Sequence, residues 1–149
     1  MAQSFWEISP GLFTSAKDYY ETPQALFDQL DKEFHFTLDC CARDDNAKLN
    51  NYISPDQDSL TKPWSGNVWM NPPYGKVIPV WMKKAYEESQ TNAQVVVCLV
   101  PSRTDTNWWH DWAMKGEVRF IRQRLKFGSA KICAPFPSAI IVFRNPKVV

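Results

Sequence analysis

The tetrapeptide Asn71-Pro72-Pro73-Tyr74 is the part of the chain best equipped for chemistry. It sets an amide, a proline carbonyl and an aromatic ring side by side. An exocyclic amine offers two hydrogens, and the Asn71 side-chain oxygen and the Pro72 carbonyl can accept both. Tyr74 can stack on the planar ring that bears such an amine. The plain alternative is a rigid loop in which Asn71 caps backbone groups and Tyr74 fills space. Asp39 closes the apolar run Phe36 to Cys41. A carboxylate at a strand exit can accept from an ammonium group, or it can cap the next turn. Arg103-Thr104-Asp105-Thr106 follows another apolar run. Arg103 can hold a phosphate with Asp105 orienting it, or the two can form an internal ion pair. His110 stands beside Asp111 and His35 has no evident partner, so neither carries an acid–base role. Cys40, Cys41, Cys98 and Cys133 fit no zinc spacing and point to reduced thiols, with no activating base nearby in sequence. No metal is expected.

These residues need elements to hold them. Residues 1–19 have no sustained period and contain Pro10-Gly11, which predicts an arm or loop. Thr22-Pro23 predicts a helix entry, with Thr22 capping and Pro23 in the first turn. Leu26, Phe27, Leu30 and Phe34 continue its apolar face. A buried strand is expected in the run Phe36 to Cys41, ending near Asp39, and a short helix over Asp44 to Leu49. Val68, Trp69 and Met70 form a strand that the two prolines must close, because neither can donate to a ladder. Ile78, Trp81, Met82 and Ala85 line one helical face. Further strands are expected at Val95 to Val100, Val118 to Ile121 and Ser138 to Phe143, with a short helix at Trp108 to Met114. This alternation predicts an open α/β sheet covered on both faces. Ligands in such sheets bind beyond the carboxyl ends of the strands, which is where Asp39 and Asn71 fall.

The chain has 149 residues, the size of one domain with an independent core. Apolar residues make up 44% and charged residues 22%, which excludes global disorder. No apolar run is long enough to span a bilayer, and the start lacks the basic-then-apolar pattern of an export signal. A cytoplasmic protein without a membrane or an obligate protein partner is expected. The net charge of +1 excludes a highly basic nucleic-acid coat but not a local basic face. Residues 1–100 hold eight Lys or Arg against 13 Asp or Glu; residues 101–149 hold nine against three. The excess gathers in Arg119, Arg122, Arg124, Lys126 and Lys131, as a phosphate-facing surface or a solvated strand edge.

Across residues 18–143 the sequence resembles the phage-type, Dam-like DNA N6-adenine methyltransferases. The resemblance is carried by Tyr20-Glu21-Thr22-Pro23, Phe36-Thr37-Leu38-Asp39-Cys40-Cys41-Ala42, Asn46-Ala47-Lys48 and Trp69-Met70-Asn71-Pro72-Pro73-Tyr74. It continues through Leu99 to Thr106, Arg124-Leu125-Lys126-Phe127 and Ala134-Pro135-Phe136-Pro137-Ser138. It implies one Rossmann-like α/β methyltransferase domain over 1–149, with a compact, open, mostly parallel sheet and S-adenosylmethionine as methyl donor. It implies that Asn71, Pro72 and Tyr74 hold an adenine turned out of double-stranded DNA, with its N6 aimed at the donor methyl. Thr22, Pro23, Asp39, Cys40, Ala42, Asp58 and Asn71 become the cofactor-binding candidates, and Arg103, Arg122, Arg124 and Lys126 the DNA-binding ones. The glycine-rich loop of larger methyltransferases has no counterpart in Leu38-Asp39-Cys40-Cys41-Ala42, a departure the compact family tolerates, and Asp44, Asp45 and Asp58 all compete for the cofactor ribose. A phage or prophage origin would place the reaction in a bacterial host's cytoplasm. Methylation of another planar amine (RNA adenine, DNA cytosine, protein glutamine) and a non-catalytic DNA-binding role are the alternatives.

Overall fold

The computed structural model describes residues 20–127 and 133–148. The expected arm over 1–19, and Lys131 of the basic segment, lie outside the described residues. The elements run in the order α1 (Gln24–Phe34), β1 (Leu38–Asp39), β2 (Gly66–Met70), α2 (Ile78–Thr91), β3 (Ala93–Pro101), α3 (Asn107–Asp111), β4 (Glu117–Phe120) and β5 (Ser138–Arg144). The strands form one mixed sheet in the order β1-β2-β3-β5-β4.

The pairings β1 with β2 and β2 with β3 are parallel, with Leu38 opposite Val68 and Val68 opposite Val96. β5 runs antiparallel to both β3 and β4, so β4 points the same way as β3. The core sheet is therefore largely parallel, and β5 is its one reversed strand. The carboxyl ends of β1, β2 and β3 share one edge. That edge carries Asp39, Asn71 and Pro101.

β3 is buried along almost its whole length, which explains why it reads as an unbroken apolar run rather than an alternating one. α2 packs on β3 and β5 through Trp81, Met82 and Ala85, all fully buried at the spacing of one helical face. Phe27 of α1 meets Phe36 and Trp69 with ring centroids 5.5 and 5.6 Å apart. Trp64, Trp69 and Trp81 are all within 1% of full burial, so much of the tryptophan content is core. Trp108 and Trp109 are also buried, in agreement with packing rather than an exposed flank.

Two expected elements differ. β1 is only Leu38–Asp39, shorter than the run from Phe36. Its outer side is taken by residues 51–53, with Asp39 N–H donating to the Asn51 carbonyl and Ile53 N–H to the Asp39 carbonyl. The expected helix over Asp44 to Leu49 does not form. The Arg43 N–H donates to the Asn46 side chain and the Lys48 N–H to the Asp39 carboxylate, so local side-chain acceptors replace the helical ladder. Gly66 opens β2 at φ 77°, and a Cβ there would stand 2.3 Å from Thr37 Oγ1. Only glycine fits that approach.

Candidate active site

β2 ends at Met70, and the next four residues form the turn into α2. Pro72, Pro73 and Tyr74 are buried, and Gly75 at φ 102° releases the chain toward the helix. All peptide bonds among the described residues are trans.

Asn71 is held by the segment that precedes α1. Its Nδ2 donates to the Tyr20 carbonyl at 2.5 Å and to Thr22 Oγ1 at 3.0 Å. A carbonyl can only accept, so the amide nitrogen must face Tyr20 and the oxygen must point the other way. That oxygen, Asn71 Oδ1, is buried and has no hydrogen-bond partner among the described residues. No donor among them reaches the Pro72 carbonyl either. Thr22 has a different local role from the expected one. Pro23, not Thr22, occupies the cap position of α1, and no side chain caps it. The buried Thr22 hydroxyl is committed to Asn71 instead.

Asn71 lines a cavity of about 40 Å³ together with Thr22, Asp39, Cys40, Ala42 and Trp81. The Asp39 carboxylate is buried and accepts the Lys48 N–H at 3.1 Å and the Cys41 N–H at 3.4 Å. Burial raises its pKa to about 6, against those two bonds and the Lys48 charge, which lower it. Burial pushes the thiols of Cys40, Cys41 and Cys98 up as well, which leaves them neutral and unsuited to attack. All four cysteines are free. Of the cofactor candidates, Pro23 and Asp58 do not line this cavity. Asp58 instead joins two short 3-10 turns at φ 55°, one Oδ1 buried without a partner.

Tyr74 is buried, and its hydroxyl donates to the Leu99 carbonyl at 3.0 Å. Burial holds that hydroxyl well above its ordinary pKa, so it remains a neutral donor. Its ring meets Tyr20, Phe127 and Phe136. These three aromatics carry no role in the sequence reading. They lie beside Thr22, Lys126 and Pro135, and only the fold brings them together. Tyr74 also lines a second, more open cavity of about 480 Å³ that includes Lys76, Arg103 and Trp108.

Arg103 is exposed, with its guanidinium 5.6 Å from the centre of the Phe136 ring. Among the described residues no ion pair joins it to Asp105. Arg122, Arg124 and Lys126 are exposed on the segment that leaves β4 and ends in buried Phe127. Arg119 departs from the phosphate-facing reading. It forms a two-pronged pair with Glu33 at 2.7 Å and a further bond to Glu117, which also binds Arg144. Its charge is satisfied on the sheet edge. Among the described residues no group of three or more His, Cys, Asp or Glu could hold a metal ion, and no helix is long and apolar enough to cross a membrane.

An amide acceptor thus stands at the end of a parallel strand, beside a buried carboxylate and a cavity, in an α/β fold. The family profile described as "DNA N-6-adenine-methyltransferase (Dam)" matches residues 11–143. The chain belongs to that family. It is 37% identical over 98 residues to the "DNA N-6-adenine-methyltransferase" of Haemophilus phage HP1 (strain HP1c1), a match spanning 64% of this chain and 56% of that protein. The matched stretch thus covers little more than half the length of that relative. Among solved structures it is similar to that of Thermoplasma acidophilum 1320, at a TM-score of 0.40 and 16% identity over 65% of this chain and 55% of that one.

Proposed function

We propose that the protein transfers a methyl group from S-adenosylmethionine to N6 of adenine in double-stranded DNA. The observation that carries this reading is Asn71 Oδ1, a buried amide oxygen with no partner whose orientation is fixed by Tyr20 and Thr22. A lone buried acceptor is costly unless a ligand supplies its donor, and an adenine amino group supplies two. Family membership and the phage relative point to the same substrate.

The residues present fit the methyl donor. The cavity between β1 and β2 is lined by the buried Asp39 carboxylate, by Cys40 and Ala42, and by Asn71. S-adenosylmethionine carries a cationic ammonium and a cationic sulfonium, and a desolvated carboxylate favours a cation. In this reading Thr22, Asp39, Cys40, Ala42 and Asn71 hold the donor, while Pro23 and Asp58 shape the surrounding chain. When bound, the sulfonium supplies an already activated methyl group.

The protein's task is then alignment and electrostatics. Asn71 Oδ1 and the Pro72 carbonyl accept the two amine hydrogens and fix the nitrogen. Positive charge developing on that nitrogen faces two carbonyl dipoles. Tyr74 offers its ring face to the base. Arg103, at the second cavity, and Arg122, Arg124 and Lys126, on the segment after β4, bind phosphates. The reaction takes place in the cytoplasm of a bacterial host, and the whole chain acts as one methyltransferase domain.

The test is incubation of the purified protein with labelled donor and unmethylated DNA, followed by digestion to nucleosides. Label in N6-methyldeoxyadenosine is the expected result. Label in cytosine, in RNA or in protein would replace the substrate assignment. Donor binding without product on any of them would leave a non-catalytic DNA-binding protein.

A further inference from the structure

We infer that the Tyr20 ring is a stand-in for the substrate's base: it fills the aromatic box beside Asn71 and swings out when a base enters. This rests on the proposed adenine reading and adds a residue and a step to it. The Tyr20 ring stacks on Tyr74 with centroids 5.1 Å apart and planes 27° apart. The rings of Phe127 and Phe136 meet it edge-on at 5.0 and 5.2 Å. Tyr74, Phe127 and Phe136 also contact one another at 5.6 to 6.2 Å, so the box stands without Tyr20. All three walls are buried, whereas Tyr20 is only half-buried. A flat ring on the face of Tyr74 and enclosed by ring edges is the arrangement a nucleobase would adopt.

Three further observations make the ring releasable. No hydrogen bond among the described residues ties down its hydroxyl, in contrast to that of Tyr74, which is bound to Leu99. The Tyr20 main chain is anchored separately, through its carbonyl to Asn71 Nδ2. Rotation about the side chain's own bonds therefore vacates the box without releasing Asn71. Tyr20 also lines both cavities, the one proposed for the donor and the one that carries Lys76 and Arg103.

The ring competes with the base for one stacking site, and removing it should strengthen substrate binding. Tyr20→Ala should lower KM for DNA about fivefold, the scale of one aromatic stack, with a smaller change in single-turnover rate at saturating DNA. Tyr20→Phe should restore the wild-type KM, since the ring and not the hydroxyl fills the box. A raised KM in Tyr20→Ala would make Tyr20 a fixed wall and overturn the inference. A second measurement needs no loss of the side chain. In protein labelled with 3-fluorotyrosine, the Tyr20 fluorine signal, assigned by its loss in Tyr20→Phe, should shift on addition of unmethylated DNA and donor product. An unmoved Tyr20 signal in protein that binds the DNA and methylates adenine would overturn the stand-in role while leaving the adenine reading intact. Wild-type protein that methylates no adenine would overturn both.

Discussion

Replacing Thr22 with valine tests whether the orientation of Asn71 is what makes the site work. The swap keeps the branched shape and removes one acceptor. Asn71 Nδ2 loses its 3.0 Å bond to Thr22 Oγ1 and keeps its bond to the Tyr20 carbonyl. One amide hydrogen is left facing a methyl group. An unpaired donor costs roughly 1–3 kcal/mol when buried. Asn71 is only half-buried, so about 1 kcal/mol of stability should be lost, read as a shift of the urea midpoint. The same loss loosens the amide just where its oxygen must meet the substrate. A penalty of about 1–1.4 kcal/mol on the aligned state lowers the transfer rate roughly five- to tenfold.

Single-turnover transfer at saturating donor and DNA is the appropriate assay, because product release can hide a slower chemical step. Thr22→Ser keeps the hydroxyl and should recover most of the rate. Donor affinity by calorimetry should change less than the rate, because Thr22 acts here through Asn71. A wild-type rate and wild-type stability in Thr22→Val would refute the reasoning. Equal damage from serine and valine would show that the hydroxyl alone does not account for the role of Thr22, because serine keeps it.

Asn71→Ala removes the acceptor itself and should cost about 10²–10³ in single-turnover rate, with donor affinity in calorimetry falling less than the rate. Arg122→Ala with Arg124→Ala should weaken binding to all DNA sequences and make the plot of log affinity against log salt shallower by about 2, measured by fluorescence anisotropy. Arg119→Ala should leave that salt slope unchanged, because its guanidinium is already shared between Glu33 and Glu117. Asp39 titrates at about 6 in the fold against 3.8 for a free side chain. A raised folded value means its contribution is fully present below about pH 4 and lost as pH rises through about 6. Denaturant melts should show wild type losing up to about 3 kcal/mol relative to Asp39→Asn between about pH 4 and pH 7.

The strands were legible because β2, β3 and β5 are buried runs long enough to read without a partner. α2 was legible from Ile78, Trp81, Met82 and Ala85, which repeat at the helical period. The turn at 71–74 was legible because two prolines end a ladder on steric grounds alone. The reversal of β5 was not, since its residues say that it is buried but not which way it runs. The false helix over Asp44 to Leu49 shows local polarity overruling propensity, through Asn46 and Asp39 as acceptors. The ion pair of Arg119 was not legible for a different reason. Its partner Glu33 lies 86 residues away, and no local window contains both. The same holds for Asn71 with Thr22 and Tyr20, 49 and 51 residues apart.

The site's two least comfortable groups are also its most informative. Asp39 is a carboxylate desolvated enough to raise its pKa to about 6, and Asn71 Oδ1 is a buried acceptor with nothing to accept. Each lowers the stability of the free protein, and the two backbone N–H groups and the Lys48 charge only partly offset the cost of burying Asp39. They lie along one cavity at adjacent strand ends. A fold optimised for stability alone would replace both with apolar side chains of similar size. Their costs have the same remedy: a cation beside the carboxylate and an N–H donor beside the amide oxygen. A cationic methyl donor and an adenine amino group supply one each. In the proposed reaction these are also the two groups that must be brought together, so the places where the fold gives up stability are the places where binding and chemistry recover it.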